Sequence, residues 1–316
     1  MSKIVIMESL GISKEELDAF KEPFEKEGHS FEVFEKSTDK DVLIKEAKDA
    51  DVMIIANMPM PDEVIRECKS LKFIDVAFTG VDHVGLDAAK ENDIKVSNAS
   101  GYSNEAVSEL VIGMAISIAR NLRTVEDRCR EGKGKDGLVG FELKGKTVGI
   151  VGLGKIGSRT AELFNAFGCR VLATSRTVHP NVPRYVAQVS LEELLKESDI
   201  VVLHCPANES TKGLINKDRL AVMKKSAVLI NAARGAVVVT RDLADALNNG
   251  DIAAAGIDVF DKEPPLDLSE PLLNAKNCLV TPHVAFATKQ SMTLRAEIVF
   301  DNLRAFFKGE QKNVIL

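Results

Sequence analysis

The sequence predicts an α/β protein built from two doubly wound parallel-sheet domains. Short apolar runs alternate with helical segments along the chain, one run breaks into closely spaced glycines, and 316 residues exceed what one core usually organises. In the first series, runs at residues 3–7, 30–34, 52–56 and 73–77 each precede a helical segment, at 14–27, 40–47, 61–68 and 85–91. Each run is too short for a core helix and is bounded by polar or turn residues, so a buried parallel strand fits it better. A second series starts at Thr147 and continues through residues 171–174, 200–204, 227–231, 254–258 and 278–281. Between the two lies an apolar helix over 104–121, with Ser103 or Asn104 as its N-cap. Such a helix has to bury its exposed faces, and the expected cover is a second copy of the chain in a homodimer. The polar, glycine-rich segment 132–137 reads as a loop. After Thr281 only one long helical segment remains, 289–307, too little for a third domain. The chain is therefore expected to return and finish its first unit, giving a discontinuous domain of residues 1–100 and 284–316 around a continuous one of residues 101–283.

The most informative stretch opens the second series. An apolar strand there runs straight into Gly152, Gly154 and Gly157, and a helical segment, 158–167, and a further strand, 168–174, follow. In that context the glycines form a dinucleotide fingerprint of the Rossmann-like kind. Gly152 permits the tight turn, Gly154 lets the backbone approach a pyrophosphate, and Gly157 allows close helix–strand packing. The helix N-terminus then presents amides and a positive dipole end to the phosphates. An NAD site usually adds a carboxylate about 20 residues further on, which accepts from the ribose 2′-hydroxyl. Here the strand ends in Thr174, Ser175, Arg176 and Thr177. Small hydroxyls leave room and a guanidinium suits phosphate oxygens, so NADP is the preferred cofactor, with NAD as the other possibility.

Composition removes several classes. The net charge is −6 with both signs interspersed, which leaves no nucleic-acid footprint. The apolar stretch 106–119 is interrupted by Ser108, Glu109 and Ser117 and is too short to cross a bilayer. The chain begins with a β-like run and no signal-peptide pattern, so a cytoplasmic location is expected. The five cysteines and five histidines are dispersed without disulfide, CxxC or HxxxH spacing, and no metal site is assigned.

Three later segments set polar residues at the carboxyl ends of strands, where open α/β sheets bind ligands. Arg234 follows the run 228–231 and precedes a glycine, positioned to grip a carboxylate bidentately and polarise an adjacent carbonyl. His283 follows Thr281 and Pro282; a histidine there gives a proton to an alkoxide as hydride arrives, and a nearby glutamate, such as Glu263, favours the imidazolium that does so.

The order GLGKIG at 152–157, NAARG at 231–235, DVFDKEP at 258–264 and TPHVAF at 281–286 resembles the D-isomer-specific 2-hydroxyacid dehydrogenases over nearly the whole chain. The resemblance implies an oxidoreductase that moves a hydride between NADP(H) or NAD(H) and a small 2-oxo or 2-hydroxy acid. It implies Arg234 as the binder of the substrate carboxylate and carbonyl, and Glu263 with His283 as the acid–base pair. Asp258 is implied beside the nicotinamide, and Lys155, Ile156, Cys205, Pro206, Thr211 and Ala232 as further cofactor contacts. The segment AFTGVD at 77–82 implies that Thr79 and Gly80 offer backbone amides to the carboxylate. Tyr102 resembles a substrate-facing tyrosine of the D-lactate dehydrogenase branch, and Phe286 is similar to that branch too. Ser175 and Arg176 resemble instead the NADP-using glyoxylate and hydroxypyruvate reductases, so cofactor and pocket features point to different branches. The alternatives are an NAD-dependent phosphoglycerate or D-lactate dehydrogenase and, from another class, a dinucleotide-sensing corepressor or binding protein.

Overall fold

The computed structural model describes residues 1–177, 182–261 and 266–316. It divides the chain into two compact units, Met1–Ser103 with Ala287–Leu316, and Asn104–Phe286. Boundaries read from the sequence sit a few residues earlier, at the ends of motifs rather than at the starts of the helices that follow. The first segment runs β1 (Lys3–Ile6), α1 (Lys14–Lys26), β2 (Ser30–Val33), α2 (Lys40–Ala47), β3 (Val52–Ile55), α3 (Asp62–Glu67), β4 (Phe73–Val76), α4 (Leu86–Glu91) and β5 (Lys95–Asn98). The second unit runs α5 (Asn104–Ala119), α6 (Leu122–Arg130), β6 (Thr147–Val151), α7 (Lys155–Ala166), β7 (Arg170–Thr174), β8 (Val186–Gln188), α8 (Leu191–Glu197) and β9 (Ile200–Leu203). It continues with α9 (Lys217–Ala221), β10 (Val228–Asn231), α10 (Thr240–Asn249), β11 (Ala254–Ile257) and β12 (Cys278–Val280), before α11 (Lys289–Phe307) returns to the first.

The first unit holds a five-stranded parallel sheet in the order β2-β1-β3-β4-β5. Helix α11 belongs to it because its apolar face completes that core. Phe300 stacks on Phe20 of α1 with ring centroids 5.0 Å apart, and Phe306 stacks on Phe73 of β4 at 4.5 Å. Burying such a side chain contributes roughly 1.5–3 kcal/mol, so the first segment alone would leave a large apolar surface uncovered. Capping boxes start both helices, Ser13 with Glu16 on α1 and Thr288 with Ser291 on α11.

The second unit holds a seven-stranded parallel sheet in the order β12-β11-β10-β9-β6-β7-β8. The chain steps from β6 to β7 and β8 on one side, then returns to place β9 on the other. The crevice between β6 and β9 is thus the topological switch point. Helix α5 finds its cover within this unit, since Val111, Ile112, Met114, Ala115 and Ala119 join its core. Gly256 of β11 makes room for it, because a Cβ there would lie 3.2 Å from the Met114 sulfur. The helix ends before residue 121, as Asn121 takes a left-handed φ of 53°. None of the residues of helix α6 is buried, and Leu122 is 47% exposed. Among the described residues, no helix is long and apolar enough to cross a membrane.

Candidate active site

The glycine loop leaves β6 for α7 with each glycine under a separate constraint. Gly152 has φ +102°, and a Cβ on it would meet the backbone of His204 at 2.7 Å. Gly157 packs so closely that a Cβ would lie 2.0 Å from the Gly152 carbonyl oxygen, whereas a Cβ on Gly154 would meet nothing within 4 Å. The bare backbone at Gly154 therefore borders open space at the start of α7, whose first turn has no acidic residue to neutralise its amides. Lys155 and Ile156 stand in that turn, three residues ahead of the helix start read from the sequence. This cradle fits a dinucleotide pyrophosphate.

Beyond β7, Ser175 is half-buried and its hydroxyl donates to the Thr177 carbonyl at 2.6 Å, while Arg176 is exposed. Beyond β9 stands a buried polar chain that sequence reading missed. The Ile156 carbonyl can only accept, so Ser108 donates to it at 3.3 Å and Thr160 donates to Ser108 at 3.1 Å. His204 Nε2 must then donate to Thr160 Oγ1, 2.9 Å away, which assigns the Nε2–H tautomer. Burial of the ring pulls the His204 pKa down to about 4, so the imidazole is neutral at physiological pH. Cys205 is buried and its thiol is pushed up to about 11 by that burial. Thr211 closes the next loop by donating to the Pro206 carbonyl at 2.5 Å and accepting from the Asn208 amide at 2.9 Å.

At the other end of the sheet, neighbouring strands bring Arg234, Asp258 and His283 onto one scaffold. Buried Asn231, with half-buried Ala232 after it, donates its amide to the Arg234 carbonyl at 2.9 Å and accepts from the Ala233 amide at 3.1 Å. Gly235 is obligatory here, since a Cβ would lie 2.1 Å from the backbone of Phe260. Fully buried Asp258 accepts from the Thr281 hydroxyl at 2.5 Å and from the Val284 and Ala285 amides, each at 2.9 Å. Burial pushes its carboxyl up, while the Thr281 bond, the two amides and the nearby His283 hold it down. Both Asp258 oxygens thus serve the loop that carries His283, a positioning task the sequence did not disclose. The His283 backbone has φ +53° and donates to the Asp258 carbonyl at 2.7 Å, and its ring meets Phe286 edge-on at 5.4 Å. Glu263 lies outside the described residues. Among the described residues, no group of three or more His, Cys, Asp or Glu is placed to hold a metal ion.

In the first unit, Thr79 and Gly80 follow β4, with the Thr79 carbonyl accepting from the Asn98 amide at 2.7 Å. The Thr79 hydroxyl oxygen is buried and has no hydrogen-bond partner among the described residues. Tyr102 is buried, with its ring 5.9 Å from that of Phe78 and under the Arg295 guanidinium at 5.8 Å. Arg295 has one legible signal, its place in line with Ser291 and Val299 on the buried stripe of α11.

Residues 112–285 match the family model described as D-isomer specific 2-hydroxyacid dehydrogenase, NAD binding domain. The chain is 37% identical over 286 residues to a hydroxypyruvate reductase of Blautia hydrogenotrophica, covering 88% of each chain. It is 35% identical to a glyoxylate reductase of Thermococcus litoralis, covering 87% of this chain and 86% of that one. A solved acyclic imino acid reductase in complex with NADPH and D-Arg superposes with a TM-score of 0.90 at 27% identity, over 99% of this chain and 100% of that one.

Proposed function

This chain belongs to the D-isomer-specific 2-hydroxyacid dehydrogenase family and is an NAD(P)-dependent enzyme of it, and from that premise we propose that it reduces a short 2-oxo acid of the glyoxylate or hydroxypyruvate type to the (D)-2-hydroxy acid, with NADPH preferred. The observation that carries this reading is the shared scaffold of Arg234, Asp258 and His283. The Asp258 amide donates to the Asn231 carbonyl at 2.9 Å, and Asn231 also holds the Arg234 backbone, so the two functional side chains are positioned by one hydrogen-bonded frame.

In the proposed reaction, Arg234 binds the carboxylate and polarises the carbonyl through its planar fork. When bound, the reduced nicotinamide supplies a hydride to the carbonyl carbon. His283 gives its proton to the carbonyl oxygen as that oxygen becomes an alkoxide, and Glu263 supports the imidazolium. Thr79 and Gly80 present amides to the carboxylate, and Tyr102 and Phe286 bound the substrate side chain. The cofactor is held by Gly152, Gly154, Lys155, Ile156 and Gly157 at the pyrophosphate, with Ser175 and Arg176 at the 2′-phosphate. Cys205, Pro206, Thr211, Ala232 and Asp258 supply the remaining contacts. The proposal extends to a homodimer, supported by α6, which leaves Leu122 exposed, and by Val139 beyond it, 80% exposed.

A panel of 2-oxo acids assayed with NADPH and with NADH tests this reading. Glyoxylate and hydroxypyruvate should give the highest kcat/KM, with NADPH ahead of NADH by about one to two orders of magnitude. Turnover of none of them would overturn the proposed reaction, and equal use of both cofactors would remove Arg176 from it.

A further inference from the structure

We infer that Glu8 and Arg295 are positioning residues that set the size limit for the substrate side chain by fixing the loops at the carboxyl ends of the first unit's strands. The inference rests on the 2-oxo acid reduction proposed above and deepens it. In the order β2-β1-β3-β4-β5, the direction in which strands are added reverses between β1 and β3, which makes that crevice the unit's own switch point. Glu8 follows β1 and reaches across it: one carboxylate oxygen accepts from the Ala56 amide at 2.8 Å and from the Met58 amide at 2.7 Å, both in the loop after β3. Lys36 lies 3.9 Å from the other oxygen and donates to Asn57 in the same loop at 3.1 Å.

Arg295 is 3% exposed, and a buried guanidinium is costly unless its donors and charge are answered. Several of the answers come from the loops at one end of the sheet. One Nη donates to the Leu10 carbonyl in the loop after β1, the guanidinium donates to the Tyr102 hydroxyl with its carbon 5.8 Å from the centre of that ring, and the nearby Glu8 carboxylate favours the cation. Tyr102 in turn packs on Phe78, next to the unpartnered buried hydroxyl of Thr79. A buried hydroxyl without a partner is expensive to keep, and it marks this loop cluster as the place where a polar ligand group completes the bonding. One acid and one arginine therefore lock the loops after β1, β3 and β5 into a single rigid wall. A wall of that kind admits glyoxylate or hydroxypyruvate and excludes branched or aromatic 2-oxo acids, because it cannot yield to extra methylene groups.

The test is the ratio of kcat/KM for 2-oxoisocaproate to that for glyoxylate, with NADPH saturating. Arg295→Met keeps length and apolar bulk but deletes the fork, and should raise the ratio about tenfold or more, with the KM for NADPH unchanged. Arg295→Lys should fall between the two, and Tyr102→Phe, which loses only the hydroxyl, should move the ratio the same way by a smaller factor. Should Arg295→Met fail to fold, Glu8→Gln and Tyr102→Phe carry the same comparison. A merely structural role would lower the melting temperature and scale all substrates alike, and an unmoved ratio in a folded variant overturns the inference. A wild-type protein inert toward every 2-oxo acid overturns the proposed reaction and this inference with it.

Discussion

His283 sits on a backbone with φ +53°, a region that histidine tolerates better than β-branched residues do, and its amide is tied to the Asp258 carbonyl. The backbone that carries the side chain is therefore held both by a neighbouring strand end and, through the Thr281 carbonyl at 3.1 Å, by its own loop. That explains what was legible at this scale. The glycines could be read because each answers a local constraint, a positive φ at Gly152 or a 2.0 Å approach at Gly157. The His204–Thr160–Ser108 chain could not, since its members lie far apart in sequence and each looks like an ordinary strand-end or helix residue. Arg234→Lys should lower kcat/KM by about a hundredfold or more, because a point charge cannot reproduce the bidentate fork. Full activity with lysine in steady-state assays would show that the fork is not used. Ser175→Asp with Arg176→Ala should reverse the cofactor preference by adding repulsion and deleting the phosphate partner. Unchanged NADPH-to-NADH ratios in that double variant would place the determinant elsewhere.

Strands such as β3 and β9 are fully buried on both faces and read as continuous apolar runs, which is why their positions were legible. Strand β5, Lys-Val-Ser-Asn, was passed over because it carries one strongly apolar residue; it holds its place through the ladder to β4 and through Asn98. Helix α6 is mostly charged, with only Leu122, Val125 and Cys129 on its apolar face, and β8 is only three residues long. The junction of β4 with α11 carries a testable electrostatic feature. Asp75 is fully buried, with one oxygen accepting from Asn302 at 3.0 Å and the other unpartnered. Burial raises its carboxyl to about 8, with the Asn302 bond opposing. A carboxyl whose folded pKa lies above its unfolded value of about 4 holds its proton more tightly when folded, so its contribution is intact below that value and is lost as pH rises toward the folded pKa. Asp75→Asn cannot ionise, so the wild-type melting temperature should fall relative to the variant's between about pH 5 and pH 8. Parallel melting curves over that range would show that Asp75 does not titrate within it.

At the scale of the whole chain, the interruption of one domain by another was legible because a single helix after Thr281 cannot build a third core, and α11 stacks its aromatic rings on those of the first segment. Helix α5 packs part of its apolar surface into its own unit, and an apolar helix looks the same in sequence whether its own unit or a partner covers the rest. Light scattering at micromolar concentration should give twice the chain mass, with Leu122→Glu shifting the protein toward monomer. A monomer mass for the wild type would contradict the homodimer. NADPH consumption with glyoxylate and hydroxypyruvate, measured side by side on the wild type and His283→Ala, tests the assignment of hydride acceptor and proton donor most directly. The wild type should turn over both substrates, and the variant should lose about two to four orders of magnitude in kcat while binding NADPH as tightly in a fluorescence titration. Near-normal turnover by His283→Ala, or no turnover by the wild type, would contradict it.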